Sequence, residues 1–131
     1  MTSVDFHVTA KVRGCARPRV TRNGTYIPKT TREYQKAVKD AFKSTGAGKM
    51  TGPIAVSIDV FRKLPSGEPK SVTHKPDTVR PDADNIAKTI LDALNGLAWE
   101  DDNQVVFLCV QKHPRSRAQK EDCVVVNIRR A

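Results

Sequence analysis

The chain has 131 residues, 38% of them hydrophobic, and a formal net charge of +9 from 23 Lys and Arg against 14 Asp and Glu. That length suits one domain, 1–131, with a real core, and the apolar fraction is too high for a disordered chain. No apolar run nears the ~20 residues of a membrane-spanning helix, and Met1-Thr2-Ser3-Val4-Asp5 lacks the basic-then-apolar order of a secretory signal, so a cytoplasmic protein with no membrane partner is expected.

In chain order, Phe6, Val8, Ala10 and Val12 alternate with polar residues, the period of a half-buried strand. Arg13 to Lys29 reads as a small basic hairpin or a loop, with Asn23-Gly24 as its turn signal. A helix follows. Thr30 and Glu33 have capping-box spacing, and Tyr34, Ala37, Val38, Ala41 and Phe42 form one apolar face before Gly46 and Gly48. Ile54, Val56, Ile58 and Val60 predict a second strand. Lys63 to Pro81, with Pro65, Gly67, Pro69, Pro76 and Pro81, predicts a long basic loop.

A second helix begins near Asp84, which suits an N-cap, and Gly96 stops it. Ile86, Ile90, Leu91, Leu94 and Leu97 point to one side, while Asp84, Lys88, Asp92 and Asn95 fall on the opposite stripe. Val105 to Val110 is apolar on both faces and predicts a central strand. His113 to Asp122 reads as a polar turn, and Cys123 to Ile128 as a last strand. The order β-α-β-α-β-β predicts an α+β domain with α/β-like character: a mixed sheet packed with two main helices.

Cys15, Cys109 and Cys123 are widely spaced and form no Cys-x-x-Cys pair, which disfavours a zinc ribbon. Reduced thiols are expected, with Cys109 and Cys123 small and buried in their apolar runs.

The functional signal lies in the acids. A basic surface attracts a polyanion, and nucleic acid is the commonest one. Carboxylates within such a surface repel phosphate unless a divalent cation neutralises them, and that cation also brings phosphodiester chemistry. Asp82 and Asp84 precede or cap the second helix, Lys88 lies one turn on, and Asp102 stands just before the strand at Val105. Three carboxylates from two segments are the hard oxygen ligands Mg²⁺ prefers, and Lys88 could hold the attacked phosphate or the water. The structural alternative stays open on this pattern: Asp84 as a plain helix cap, Asp101-Asp102-Asn103 as a turn, Lys88–Asp92 as a weak surface pair, Trp99 packed over the core edge. Arg17, Arg19, Arg22, Lys70, Lys75 and Arg80 are the candidate DNA-phosphate contacts.

Arg80-Pro81-Asp82-Ala83-Asp84-Asn85-Ile86-Ala87-Lys88-Thr89-Ile90-Leu91-Asp92-Ala93-Leu94-Asn95-Gly96, followed by Trp99-Glu100-Asp101-Asp102-Asn103-Gln104-Val105, closely resembles the RusA family of Holliday junction resolvases, phage and prophage members included. The resemblance is tight over residues 80–112 and loose over the rest. It implies a homodimeric, Mg²⁺-dependent endonuclease, with Mn²⁺ a possible substitute, that nicks four-way junction DNA symmetrically in recombination or repair. It places the catalytic, metal-binding carboxylates on Asp82, Asp84 and Asp102 and the functional lysine on Lys88. Asp101 is the less favoured third ligand, and Asp92 gives structural support. Two other classes compete: a junction- or duplex-binding protein without catalysis, and a general metal nuclease for flaps or single strands.

Overall fold

The structure, a computed structural model, describes residues 3–14 and 19–131. Four strands form the central sheet: β1 (Ser3–Thr9), β4 (Ile54–Phe61), β6 (Val105–Lys112) and β8 (Cys123–Arg130). Their order is β1-β8-β4-β6, antiparallel except for the parallel β4–β6 pair, so the sheet is mixed. Two short strands, β2 (Arg19–Thr21) and β3 (Gly24–Tyr26), make a hairpin after β1. Its loop is Arg22-Asn23, and Gly24, at φ 115°, opens the return strand. Another pair, β5 (His74–Lys75) and β7 (Arg115–Ser116), ties the 63–81 loop to the turn after β6. That turn is therefore partly strand, and the loop is anchored along its length.

Both helices lie on one face. Helices α1 (Lys29–Lys43) and α2 (Ala83–Leu94) pack against each other, α1 over β1 and α2 over β6. The alternation read from sequence sends Val4, Phe6, Val8, Ile54, Val56, Ile58, Val60, Val124, Val126 and Ile128 into this layer. They meet Tyr34, Val38 and Phe42 of α1 and Ile86, Ile90 and Leu94 of α2. Phe6 and Phe42 meet edge to face at 5.9 Å between ring centroids.

Three expectations need correction. The first helix starts at Lys29 behind Pro28, and no side chain caps it, so Thr30 lies inside the helix. Proline can take this place because its fixed φ suits a helix start. The strand at Val105 is not central. It is the sheet edge, with Val106, Phe107 and Leu108 exposed by 64%, 49% and 44%. An unbroken apolar run shows that both faces are apolar; it does not say that they are covered, nor that a strand of the same chain lies on either side. Cys109 sits on that edge and is exposed, Cys123 is half-buried, and Cys15 lies outside the described residues.

Candidate active site

The second helix begins one residue earlier than the acidic pattern implied. Asp82, not Asp84, occupies the N-cap, in an extended conformation. Its side chain makes no capping hydrogen bond; only its carbonyl accepts, from the Ile86 N–H at 3.0 Å. Asp84 lies in the first turn and is exposed. Neither carboxylate is spent on capping among the described residues, so the plain cap reading does not account for them.

The segment that carries Asp82 is held from beneath. The Lys112 ammonium, at the end of β6, donates to the carbonyls of Val79 at 2.7 Å and Pro81 at 2.9 Å. It also stands 3.6 Å from the fully buried carboxylate of Asp77, which is bonded to Arg62 at 2.9 Å. Arg62 donates to the Val79 carbonyl as well, at 3.3 Å. Gly14 lets the basic segment after β1 come against the same place, since a β-carbon there would sit 2.9 Å from the Pro81 Cβ. Sequence reasoning passed over Arg62, Asp77 and Lys112. A Lys at a strand's end or an Arg just past one carries no periodic signal, and only the fold shows that these two are nearly covered.

At the other end of α2, the paired acids divide their work. Asp101 caps a single 3₁₀ turn, Asp102–Gln104: its carboxylate accepts from the Asn103 N–H at 3.1 Å. The Gln104 side-chain oxygen returns to the N–H groups of Glu100 and Asp101, at 2.8 and 3.1 Å. This is a complete capping box. Asp102 is left out of it. One of its oxygens accepts from the indole N–H of Trp99 at 2.7 Å, and Trp99 is wholly buried rather than laid over the core edge.

Between α2 and β6 lies an open cavity of about 520 Å³, lined by Asp84, Ala87, Lys88, Leu91, Asp92, Asp102, Leu108 and Val110. Of the residues singled out from sequence, Asp84, Lys88 and Asp102 line it, together with Asp92. Asp82 does not line it, and no group of three His, Cys, Asp or Glu residues is drawn to ion-holding distance among the described residues. Burial pushes the Asp92 carboxyl above its ordinary range; the Asp102 charge adds to this, and Lys88 opposes it. No ion pair joins Lys88 to Asp92 or to any other described residue. Asp84 and Asp92 have no side-chain hydrogen-bond partner among the described residues and Asp102 is anchored by an indole; hard oxygen donors of this kind are the type a divalent oxygen-seeking cation takes.

Of the candidate DNA contacts, Arg22, Lys70 and Arg80 are exposed. Lys75 pairs with Glu68 at 2.7 Å. Arg17 lies outside the described residues, and of Arg19 only the backbone is described.

A mixed sheet with two helices on one face, and a cavity between α2 and β6 lined by three acids and one lysine, defines an α+β domain. Residues 9–129 match the family described as endodeoxyribonuclease RusA, and the chain belongs to that family. It is also 38% identical over 71 residues to the uncharacterized protein YqaN of Bacillus subtilis (strain 168), in an alignment covering 48% of this chain and 50% of that protein. The chain thus spans about half the length of the curated relative it matches. No helix is long and apolar enough to cross a membrane among the described residues.

Proposed function

We propose that this domain, 1–131, is a Mg²⁺-dependent, structure-selective endonuclease that resolves four-way DNA junctions by paired phosphodiester hydrolysis. The observation that carries this reading is the shared cavity of Asp84, Lys88 and Asp102 in a chain of the RusA family. Asp84 and Asp102 are the residues that would hold the ion, with Asp82 joining from the adjoining N-cap. The ion, when bound, neutralises charge at the phosphodiester and makes a water more acidic. Lys88 holds the non-bridging oxygens of the attacked phosphate and offsets the acids when DNA is absent. Trp99 fixes one oxygen of Asp102, so that carboxylate keeps its direction without solvent reorganisation. Hydrolysis then consumes one water and breaks one P–O bond per strand.

Two strands of a junction are equivalent, and a two-fold dimer offers two equivalent sites. The exposed apolar edge of β6 supports a homodimer. Val106, Phe107, Leu108 and Cys109 carry no charge, and edge strands of soluble monomers are usually protected by charge, proline or a covering loop.

The test is cleavage of a synthetic four-way junction, compared with duplex, flap and single-stranded DNA of the same sequence. The expected result is Mg²⁺-dependent, symmetric nicking of the junction alone. Binding without cleavage in Mg²⁺ or Mn²⁺ would reduce the protein to a junction-binding module. Equal cutting of flaps or single strands would make it a general nuclease.

A further inference from the structure

The charge of this protein is not spread evenly. Strands β1, β4 and β6 run the same way, so their C-terminal ends and the start of β8 share one end of the sheet. The segments that leave this end are 10–28, 62–82 and 113–122. Their described residues carry twelve of the 23 Lys and Arg but only five of the 14 Asp and Glu. Helix α1 carries five Lys and Arg against two acids, and the remaining described residues carry five against seven.

Within that basic end lies a second cavity, of about 700 Å³, distinct from the acidic one. It is lined by Thr9, Ala10 and Lys11 on one side and by Arg62 to Ser66 on the other, with Arg115, Lys120, Glu121 and Asp122 closing it. Lys11, Lys63 and Lys120 are exposed, and none is in an ion pair among the described residues. Arg115 uses its Nε on the Lys63 carbonyl at 2.8 Å, and its terminal nitrogens have no hydrogen-bond partner among the described residues. Asp122 does not offset these cations at the rim. Its Oδ1 accepts from the Lys63 N–H at 3.1 Å, its Oδ2 stands 3.9 Å from Arg62, and its carbonyl takes the Ala10 N–H at 3.2 Å. Asp122 therefore serves to hold the walls together.

A concave site with unpaired cations on a rigid frame focuses a positive field and is relieved by a polyanion. Four cations spread along one cleft suit a run of backbone phosphates better than a single ion. It lies at the β1-β8-β4 side, whereas the acidic cavity lies at β6, one to three strand spacings away, or ~5–14 Å. We infer that the Lys11–Lys63–Arg115–Lys120 cleft is a DNA-backbone subsite that holds duplex away from the scissile phosphate. This inference deepens the junction-nuclease reading, but as a binding site it does not need catalysis.

The test compares Lys11→Glu/Lys63→Glu/Lys120→Glu with a control of equal charge change elsewhere, Lys39→Glu/Lys43→Glu/Arg130→Glu, all six residues being exposed. Binding to a synthetic junction and to linear duplex is measured without divalent metal across a salt series. The cleft variant should bind the junction at least tenfold more weakly, with a salt slope shallower by about 2.7 if each lysine meets one phosphate. The control should keep most of the affinity. Equal losses in both variants would show only the effect of net charge and overturn the subsite, as would unchanged binding by the cleft variant. The Lys→Ala triple, which adds no repulsion, should show a smaller loss in the same direction; wild-type binding there would also overturn it. Wild-type protein that binds DNA through the cleft but cuts nothing in Mg²⁺ would remove the nuclease reading and leave the subsite standing.

Discussion

The indole N–H of Trp99 donates to Oδ1 of Asp102 at 2.7 Å, and it does so from a residue with no exposed surface. A carboxylate at the mouth of the acidic cavity is thus oriented from inside the core. Trp99→Phe keeps an aromatic ring but removes the donor and some volume. Unfolding in urea should show a loss of about 1–3 kcal/mol. Single-turnover cleavage of a junction should slow about tenfold with binding unchanged. A stable variant with full cleavage would show that Asp102 needs no such support.

The link between Lys112 and the Val79 and Pro81 carbonyls makes a second prediction. Lys112→Met keeps most of the buried stem and deletes a charge that serves two carbonyls and stands near Asp77. Charge-assisted hydrogen bonds contribute ~1.5–3 kcal/mol, and global stability should fall by about that much. Amide exchange should quicken locally over residues 77–84, and cleavage should drop with it. A loss of stability without faster exchange there would place the effect elsewhere in the sheet.

Tyr34 gives a prediction in the opposite direction. Its hydroxyl is buried without a hydrogen-bond partner among the described residues. Burial, with smaller contributions from Cys123 and Asp122, pushes its pKa well above the usual tyrosine value. The neutral form is therefore favoured in the folded state. Its contribution is fully present below the unfolded pKa of about 10 and is lost as pH rises beyond it. Tyr34→Phe should be at least as stable as wild type at pH 7, by up to ~1 kcal/mol, and should lose less stability above pH 10. Thermal melts at pH 7 and 10.5 would show it; a marked loss at pH 7 would mean that the hydroxyl has a partner.

Much of this architecture was legible in the sequence because periodicity is a direct imprint of burial. The alternation at Phe6–Val8, Ile54–Val60 and the final strand marks one face against helices, and the structure has that face. What periodicity does not carry is lateral order. Val105 to Val110 is apolar on both faces, so it reads as central, yet β6 is the edge and Val106 to Cys109 are exposed. Capping signals were ambiguous for a similar reason. Thr30 and Glu33 have the spacing, but Pro28 already starts the helix, while the box that does form, Asp101 with Gln104, lies in a turn too short to show a period. At the site, the spacing of Asp84 and Lys88 on one helix could be read directly. The partition of Asp101 and Asp102 could not, since it depends on where Trp99 lands.

The β6 edge itself can be tested. Phe107→Glu with Val106→Lys puts charge on both faces of the exposed strand and leaves the buried layer and the residues lining the acidic cavity alone. If this edge joins two copies, sedimentation at micromolar concentration should change from dimer to monomer, with thermal stability of the domain lowered only through the lost association. Junction nicking should lose its symmetry before it loses its chemistry. A wild-type protein that stays monomeric with junction present would remove the dimer from the proposal.

The acids provide the decisive series. Asp82→Asn, Asp84→Asn and Asp102→Asn each delete a negative charge and keep size and polarity. Asp82 makes no side-chain cap for Asn to lose, and Asn can still accept from Trp99 at position 102. Folding should therefore be nearly unchanged, and cleavage in Mg²⁺ should fall at least a hundredfold while junction binding holds. Without metal, binding should strengthen, because fewer carboxylates face phosphate. Lys88→Ala should stop cleavage without that gain, since it removes an attractive charge. Asp82 is the sharpest member of the set, because its side chain neither caps α2 nor lines the cavity. If Asp82→Asn cuts junctions at the wild-type rate while the other two are dead, the ion is held by Asp84 and Asp102 alone.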